Sequence, residues 1–348
     1  MRKALAFDDV LLVPKHSNIS SRDTVSTETI VAGVPLSCPI LSSNMATVTG
    51  ESMLREMSYQ GGLGVLDRTE IHPHIVASFA HDALPYSLDP YLMAASVGVG
   101  DDAFSTASMY HQEGCPIICI DVAHGHTEKV LDLTNKLLTK HPSLSVIAGN
   151  IATKEAFKFF ALNVDPSLHP RLALKVGVGS GSMCTTRIVT GFGLPTLQSL
   201  LDIKECRSPK KDDITLIADG GIKNSGDIVK ALAAGADAVM LGSLLAGTDE
   251  APGAVIKDGR TGDKFKVYRG SASFGTKQNS IGNLTYIEGE ETLVPYKGKV
   301  EPILRSLMAG VRSGLSYNGS PTISHLQSSA TFVQISTSGF VESKPHLL

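Results

Sequence analysis

The chain has 348 residues, 42% of them apolar, with a formal net charge of −3 and a mean hydropathy of +0.09. That length and composition suit a globular protein with a full core, built as one large α/β domain or two ordinary ones. The charge leaves no basic footprint for nucleic acid, and no apolar run reaches the length needed to span a bilayer.

The N-terminal stretch MRKALAFDDVLLVPK has too short an apolar segment for a signal peptide. Five cysteines, Cys38, Cys115, Cys119, Cys184 and Cys206, fit neither a disulfide framework nor a zinc spacing. Cys115 and Cys119 fall in the apolar run CPIIC, which reads as a strand with buried, inert thiols. The expectation is a reduced, cytoplasmic protein.

A pattern repeats along the chain: a short apolar run, a glycine or polar residue, then an amphipathic stretch. The runs are Ile40–Ser43, Leu63–Leu66, Leu92–Val97, Ile117–Ile120, Leu144–Ala148, Leu172–Val178, Ile214–Ala218 and Ala238–Leu241. Near-continuous apolar runs of this kind suit parallel strands buried on both faces. Helical periodicity marks Gly50–Tyr59, Phe104–Glu113, Thr127–Lys140, Lys154–Leu162, Leu194–Ile203 and Ser225–Ala234. Eight β/α units in some 250 residues predict a (β/α)8 TIM barrel rather than an open doubly wound sheet. No GxGxxG opens a helix after the first strand, which weighs against a dinucleotide-binding sheet.

The barrel is expected to form a single domain over residues 1–348. Residues 1–37 would cover its bottom or reach a neighbour. The polar stretch 271–294, after the eighth strand, would be a mobile active-site flap, since so long an irregular connection is unusual unless functional. Helical pattern resumes at Pro302–Gly310 and opens a C-terminal segment, 302–348.

Catalytic groups in a barrel sit just beyond the C-terminal ends of its strands. Those positions hold Asn44 and Met45, then Asp121 with His124 and His126, then Asn150. The sixth strand runs into KVGVGSGSMCTTR, where alternating glycines let backbone amides and carbonyls crowd one small space. Cys184 ends that loop beside Thr185, Thr186 and Arg187, where its thiolate could be stabilised; the competing reading is a phosphate cradle with an inert thiol. Asp219-Gly220-Gly221 and Gly242-Ser243 follow the seventh and eighth strands, where barrels commonly bind phosphate. Backbone N–H groups there, with the Ser182 and Ser243 hydroxyls, could hold a phosphate, and Asp219 could take a ribose diol. The alternative for Asp-Gly-Gly is an ordinary turn. His124 and His126 lack an identifiable third ligand for zinc, and hydrogen bonding near a cofactor suits them better.

GSMCTTR, IADGGIKNSGDIVKALAAGADAVMLGS, AGTDEAPG, YRGSAS and PYKG, with FDDVLLVP, IDVAHGH and AGNIAT, resemble the IMP dehydrogenase and GMP reductase family over nearly the whole chain. The resemblance implies a (β/α)8 barrel, usually a homotetramer, in which a cysteine thiolate adds to purine C2 and hydride moves between C2 and a nicotinamide. Within the family several features resemble the GMP reductases, which act in purine salvage and use NADPH. About 25 residues separate Leu66 from Leu92, leaving no room for a CBS insert. No Arg-Tyr dipeptide, which activates the hydrolytic water in dehydrogenases, occurs in the chain. The GFVESKPH tail resembles that of dehydrogenases, so a dehydrogenase without CBS modules stays open, as does an inactive nucleotide-binding barrel.

Carried over position by position, the resemblance makes Cys184 the nucleophile, with Thr186 and Glu288 serving the departing amine. Nucleotide contacts would come from Met45, Ser182, Asp219, Gly220, Gly221, Gly242, Ser243, Tyr268, Gly270, Ser271, Ala272 and Gly289. Cofactor contacts would come from Asp121, Val122, Ala123, Asn150, Val178, Gly179, Ser313 and Ser316, with Ser21 and Arg22 reaching an adjacent subunit's cofactor. Carbonyls of Gly179, Gly181 and Cys184 resemble a potassium site. Departures from the family pattern are Ala46, Asp67-Arg68, a flap without Tyr-Arg before its glutamate, and extra residues between Leu162 and Arg171.

Overall fold

The computed structural model describes residues 2–69, 73–81, 92–207, 213–270 and 290–343. Its centre is a closed barrel of eight parallel strands: β1 (Ile40–Ser42), β2 (Leu63–Leu66), β3 (Met93–Val97), β4 (Ile117–Asp121), β5 (Ser145–Ile151), β6 (Leu172–Val176), β7 (Thr215–Asp219) and β8 (Ala238–Leu241). Each strand pairs with its sequence neighbours, and β8 pairs with β1 to close the ring. All eight expected strands are present; Leu63–Leu66 and Ala238–Leu241 have the expected bounds, and the other six differ by one to three residues at an end. The (β/α)8 architecture is therefore the fold of this chain.

Alternation along each strand sorts two cores. Leu41, Val65, Ala94, Ile117, Cys119, Ile147, Ala173, Ile217 and Met240 point into the barrel and pack together. Their neighbours, among them Ile118, Leu174 and Val239, point outward and pack under the helices. Helices Glu128–Lys140 and Ser225–Ala233 show how the sequence builds that outer layer. The first buries Val130, Leu131, Leu137 and Leu138 along one stripe. The second begins at Asn224, whose side chain accepts from the Asp227 amide, a strong N-cap.

A hairpin of Thr29–Val31 and Val34–Leu36 plugs the barrel's lower mouth, its Val31, Ala32 and Leu36 joining the interior core. Two side chains fix it there. The Ala32 amide donates to the Thr215 hydroxyl (2.9 Å), and the Ser145 hydroxyl donates to the Ala32 carbonyl (2.6 Å). The N-terminal strand Val10–Leu12 pairs with Phe332–Gln334, tying both ends of the chain to one side of the barrel.

Local irregularity hid several elements from the sequence pattern. These are helix Pro73–His81, the short helix Thr186–Thr190, and a hairpin of β9 (Lys264–Arg269) and β10 (Glu291–Pro295). β10 overlaps the end of the stretch read as flap: from Glu291 the chain is a paired strand, with Arg269 Nε 2.5 Å from Glu291 Oε2. The extra residues before Arg171 form a 3-10 turn, Pro166–Arg171, in which His169 is buried. Arg171 then donates to the carbonyls of Leu138, His141 and Leu144. Among the described residues, no helix is long and apolar enough to cross a membrane.

Thr215→Val keeps the shape but strands the buried Ala32 amide, so unfolding free energy should fall by about 1–3 kcal/mol. Urea denaturation measures it, and a change near zero would mean that this bond does not hold the plug.

Candidate active site

Two residues beyond the last apolar layer, the inward positions of β4, β6 and β7 change from Cys119, Ala173 and Ile217 to Asp121, Lys175 and Asp219. Lys175 Nζ lies 3.0 Å from Asp121 Oδ1 and 2.9 Å from Asp219 Oδ2. Its side chain is 3% exposed, so both carboxylates are needed to offset the desolvation of its charge. Burial would lower the Lys175 pKa, but Asp121 and Asp219 outweigh it and hold the ammonium well above the ordinary lysine value. Burial would likewise raise Asp121; Lys175 and Arg68, with hydrogen bonds from Lys175 and Asn44, overcome it and hold the carboxyl below its usual range. Arg68 Nε is 3.6 Å from Asp121 Oδ2. Asn150 completes the group, donating to Asp219 Oδ2 (2.8 Å) and to the Gly177 carbonyl (2.6 Å).

The loop that carries Cys184 is stitched to the end of β7. Gly177 has φ +151°, and a Cβ there would lie 1.9 Å from the Asp219 carbonyl oxygen, so only glycine fits. The Ser180 hydroxyl donates to that same carbonyl (3.2 Å), and Thr196 donates to Ser180 (2.7 Å). Arg187 donates to the Leu194 carbonyl (2.8 Å) and packs on Gly179 and Gly193. It therefore braces the loop. The thiol's own partner is a hydroxyl, Cys184 Sγ donating to Thr186 Oγ1 at 3.1 Å. Cys184 is half-buried, whereas Cys38, Cys115 and Cys119 are buried, and burial pushes their thiols up to about 12.

A cleft of about 210 Å³ opens above this group. Cys184, Thr186 and Ser182 line it, together with Asp121, Val122, Ala123, Asn150 and Arg68; Met45, Tyr268 and Gly270 also border it. A second lobe of about 160 Å³ continues past Asp219 to Gly220, Gly221, Gly242 and Ser243. Tyr268 spans the two, its hydroxyl 3.1 Å from Ser182 Oγ and 3.8 Å from Met45 Sδ. Burial raises its pKa, so the phenol stays a neutral donor.

Most residues expected at the site thus converge: Met45, Asp121 to Ala123, Asn150, Gly179, Gly181, Ser182, Cys184, Thr186, Asp219 to Gly221, Gly242, Ser243, Tyr268 and Gly270. Val178 lies alongside, bridged to Leu194. Ser21, Arg22, Ser313 and Ser316 are not among the lining residues. Arg22 instead sits 5.8 Å over the ring of Tyr317, at the end of the helix Val300–Tyr317 that carries Ser313 and Ser316. The Gly181 carbonyl, assigned to a cation, accepts from the Cys184 amide (3.1 Å). His126 packs edge-on to Phe159, 4.9 Å between centroids. Ser271, Ala272, Glu288 and Gly289 lie outside the described residues. The chain on either side of them is anchored: the Gly270 amide donates to the Glu290 carbonyl (2.9 Å), and the Glu290 amide to Met183 (3.1 Å).

Lys175 escapes the sequence reading altogether. It stands in a strand among apolar residues, and a charge at an inward register is the available signal. Arg68 and Asn44, both just past a strand end where catalytic groups gather, hold Asp121 in a way their positions alone do not reveal.

Fold and cleft together define a (β/α)8 barrel with a half-buried thiol in a cleft at the C-terminal ends of its strands and a glycine-lined lobe beside it. The sequence matches the family described as IMP dehydrogenase / GMP reductase domain over residues 4–346. The chain belongs to that family, whose members are oxidoreductases using a nicotinamide cofactor. It is 32% identical to an inosine-5′-monophosphate dehydrogenase of Nitrosopumilus maritimus, with 99% of this chain and 98% of the relative covered. It is 42% identical to a GMP reductase of Leishmania donovani over 73% of this chain, a match spanning 52% of that relative. Among solved structures, a GMP reductase variant from Trypanosoma brucei in complex with guanosine 5′-monophosphate superposes with a TM-score of 0.91. That pair shares 28% identity, covering 100% of this chain and 98% of the other.

Lys175 contributes stability that is present below the ordinary lysine pKa and lost only as pH rises through its raised value. Asp121, held low, contributes stability that is lost as pH falls through its depressed value. Lys175→Met leaves two carboxylates facing each other without their shared cation, so ionising both opposes folding. The variant should lose about 3–5 kcal/mol at pH 8, and the deficit should shrink at pH 5. Urea midpoints at both pH values measure this; an equal deficit at the two would deny the ionic role.

Proposed function

We propose that this chain is a GMP reductase, converting GMP and a reduced nicotinamide cofactor, NADPH, to IMP and ammonia. The observation that carries the reading is the Cys184 thiol, half-buried and 3.1 Å from the Thr186 hydroxyl, in a cleft also lined by Asp121, Asn150 and Asp219. The absence of an Arg-Tyr dipeptide and of an insert between Leu66 and Leu92 supports the reductase over the dehydrogenase. The likeness to a GMP reductase that holds GMP supports it further.

In this reading the Gly220, Gly221 and Gly242 amides hold the phosphate, with Ser182, Ser243 and the neutral Tyr268 phenol adding donors. Asp219, steadied by Lys175 and Asn150, takes the ribose hydroxyls. The Cys184 thiolate adds to C2 of the guanine, the C2–N2 bond breaks, and the nitrogen leaves as ammonia. Thr186, with Glu288, passes the proton that makes the amine a good leaving group. The bound cofactor supplies hydride to C2. The C–S bond then breaks, IMP departs and the thiol is restored, so GMP, NADPH and two protons become IMP, NADP⁺ and ammonium.

The residues across the cleft suit such a cofactor. Asn150 Oδ1 is buried with no hydrogen-bond partner among the described residues, so it can accept from a carboxamide N–H. Asp121, Val122 and Ala123 would line the same side. Gly179, Gly181 and Cys184 carbonyls would hold potassium only if the turn bond at Gly181 shares its oxygen. A homotetramer in the cytoplasm is part of the same proposal.

Purified protein should oxidise NADPH only with GMP present and release one ammonia per turnover. Cys184→Ala should reduce turnover by at least about 10⁴-fold while GMP still binds. NADH formation from IMP and NAD⁺, with no GMP activity, would instead assign the dehydrogenase reaction, the reading favoured by the near full-length dehydrogenase relatives. Binding of GMP without turnover would mark an inactive barrel.

A further inference from the structure

The FDD of the N-terminal FDDVLLVP motif lies against the anion lobe, and the reaction above gives it no task. Phe7 is buried, its ring 3.7 Å from where a Cβ on Gly221 would stand, and Lys230 Nζ donates to its carbonyl at 2.9 Å. That docking brings Asp8, in the 3-10 turn Phe7–Asp9, to Lys223 of the loop after β7. Lys223 Nζ and Asp8 Oδ2 are 2.5 Å apart. The Lys223 amide is itself fixed, donating to Asp227 Oδ2 at 3.0 Å.

Charge within the lobe is unevenly supplied. A phosphate monoester carries between one and two negative charges near pH 7, yet the cradle offers it neutral amides and hydroxyls. Asp219 also borders the lobe and adds a negative charge. Lys175, which could neutralise both, is committed to Asp121 and Asp219. Among the described residues lining this lobe, Lys223 is the one lysine or arginine. Its pair with Asp8 is a surface pair, the two side chains 62% and 39% exposed. Such pairs contribute little to stability, so exchanging the carboxylate for a phosphate costs little.

We infer that Lys223 is a phosphate-recognising residue that Asp8 holds beside the lobe until a nucleotide arrives. Resting on the nucleotide reading of this site, the inference names a specificity determinant: Lys223 favours the 5′-phosphorylated form over the nucleoside. It also gives the N-terminal segment a role, since Asp8 competes with the substrate phosphate for one ammonium. A charge-assisted bond to phosphate oxygen is stronger than a neutral one, which makes the exchange directional.

Calorimetric binding of GMP and of guanosine to the full chain tests it without reference to turnover. Lys223→Met should weaken GMP by about tenfold and leave guanosine unchanged, while Lys223→Arg should retain most of the GMP affinity. Asp8→Asn, freeing the ammonium, should tighten GMP by about threefold with no effect on guanosine. Equal weakening of GMP and guanosine by Lys223→Met would make Lys223 a loop-shaping residue and overturn the inference. So would wild-type GMP affinity in Lys223→Met, with the nucleotide reading left standing. Failure of the wild-type chain to bind GMP would remove both.

Discussion

One buried ammonium organises the catalytic face. Lys175 rises from the barrel interior between two carboxylates and is almost fully removed from water. A lone lysine there would be expelled or neutralised, and a lone pair of aspartates would repel. Together they form a fixed charge system to which Asn150 and Arg68 are joined. Asp121 lines the cleft with Arg68 and Ala123, and Asp219 lines both the cleft and the glycine-lined lobe. The same lysine therefore fixes the position of a residue in each half. Above it, the Cys184 loop is held by a carbonyl of Asp219, so the thiol inherits its position from the same strand end.

The barrel was legible because its strands are buried on both faces and read as unbroken apolar runs. The glycine loops were legible because backbone amides can converge only where side chains are absent, as at Gly177 and Gly220. Lys175 was missed for the opposite reason: strand periodicity marks which face a residue occupies, not how deep it lies or what stands opposite. Its partners come from strands 54 and 44 residues away in sequence. The Arg187 guanidinium, placed by proximity in sequence beside the thiol, is turned to a carbonyl across the loop. Helix Thr186–Thr190 is five residues long, too short for periodicity to register. β10 is mostly exposed and mixes polar and apolar residues, and only pairing with Lys264–Arg269 shows it to be a strand.

Placement of the cysteine follows from these constraints rather than from the thiol itself. Three other cysteines sit in the core with their thiols pushed far up by burial, while Cys184 alone combines partial exposure, a hydroxyl partner and a place on the cleft wall. Met183, its neighbour, accepts the amide of Glu290, and Glu290 accepts from Gly270. The two points from which residues 271–289 depart and return are thereby fixed next to Cys184. The glycine-lined lobe, the thiol and the roots of that segment share one face of the barrel.

The central claim is that Cys184 becomes covalently bonded to the purine during turnover. Acid quench of the enzyme in steady state with GMP and NADPH, followed by mass spectrometry of the peptide containing Cys184, tests it directly. The account predicts a purine nucleotide attached to that sulfur in the wild type and none after Cys184→Ala. Steady turnover with Cys184 never modified, or undiminished turnover in the alanine variant, would contradict it.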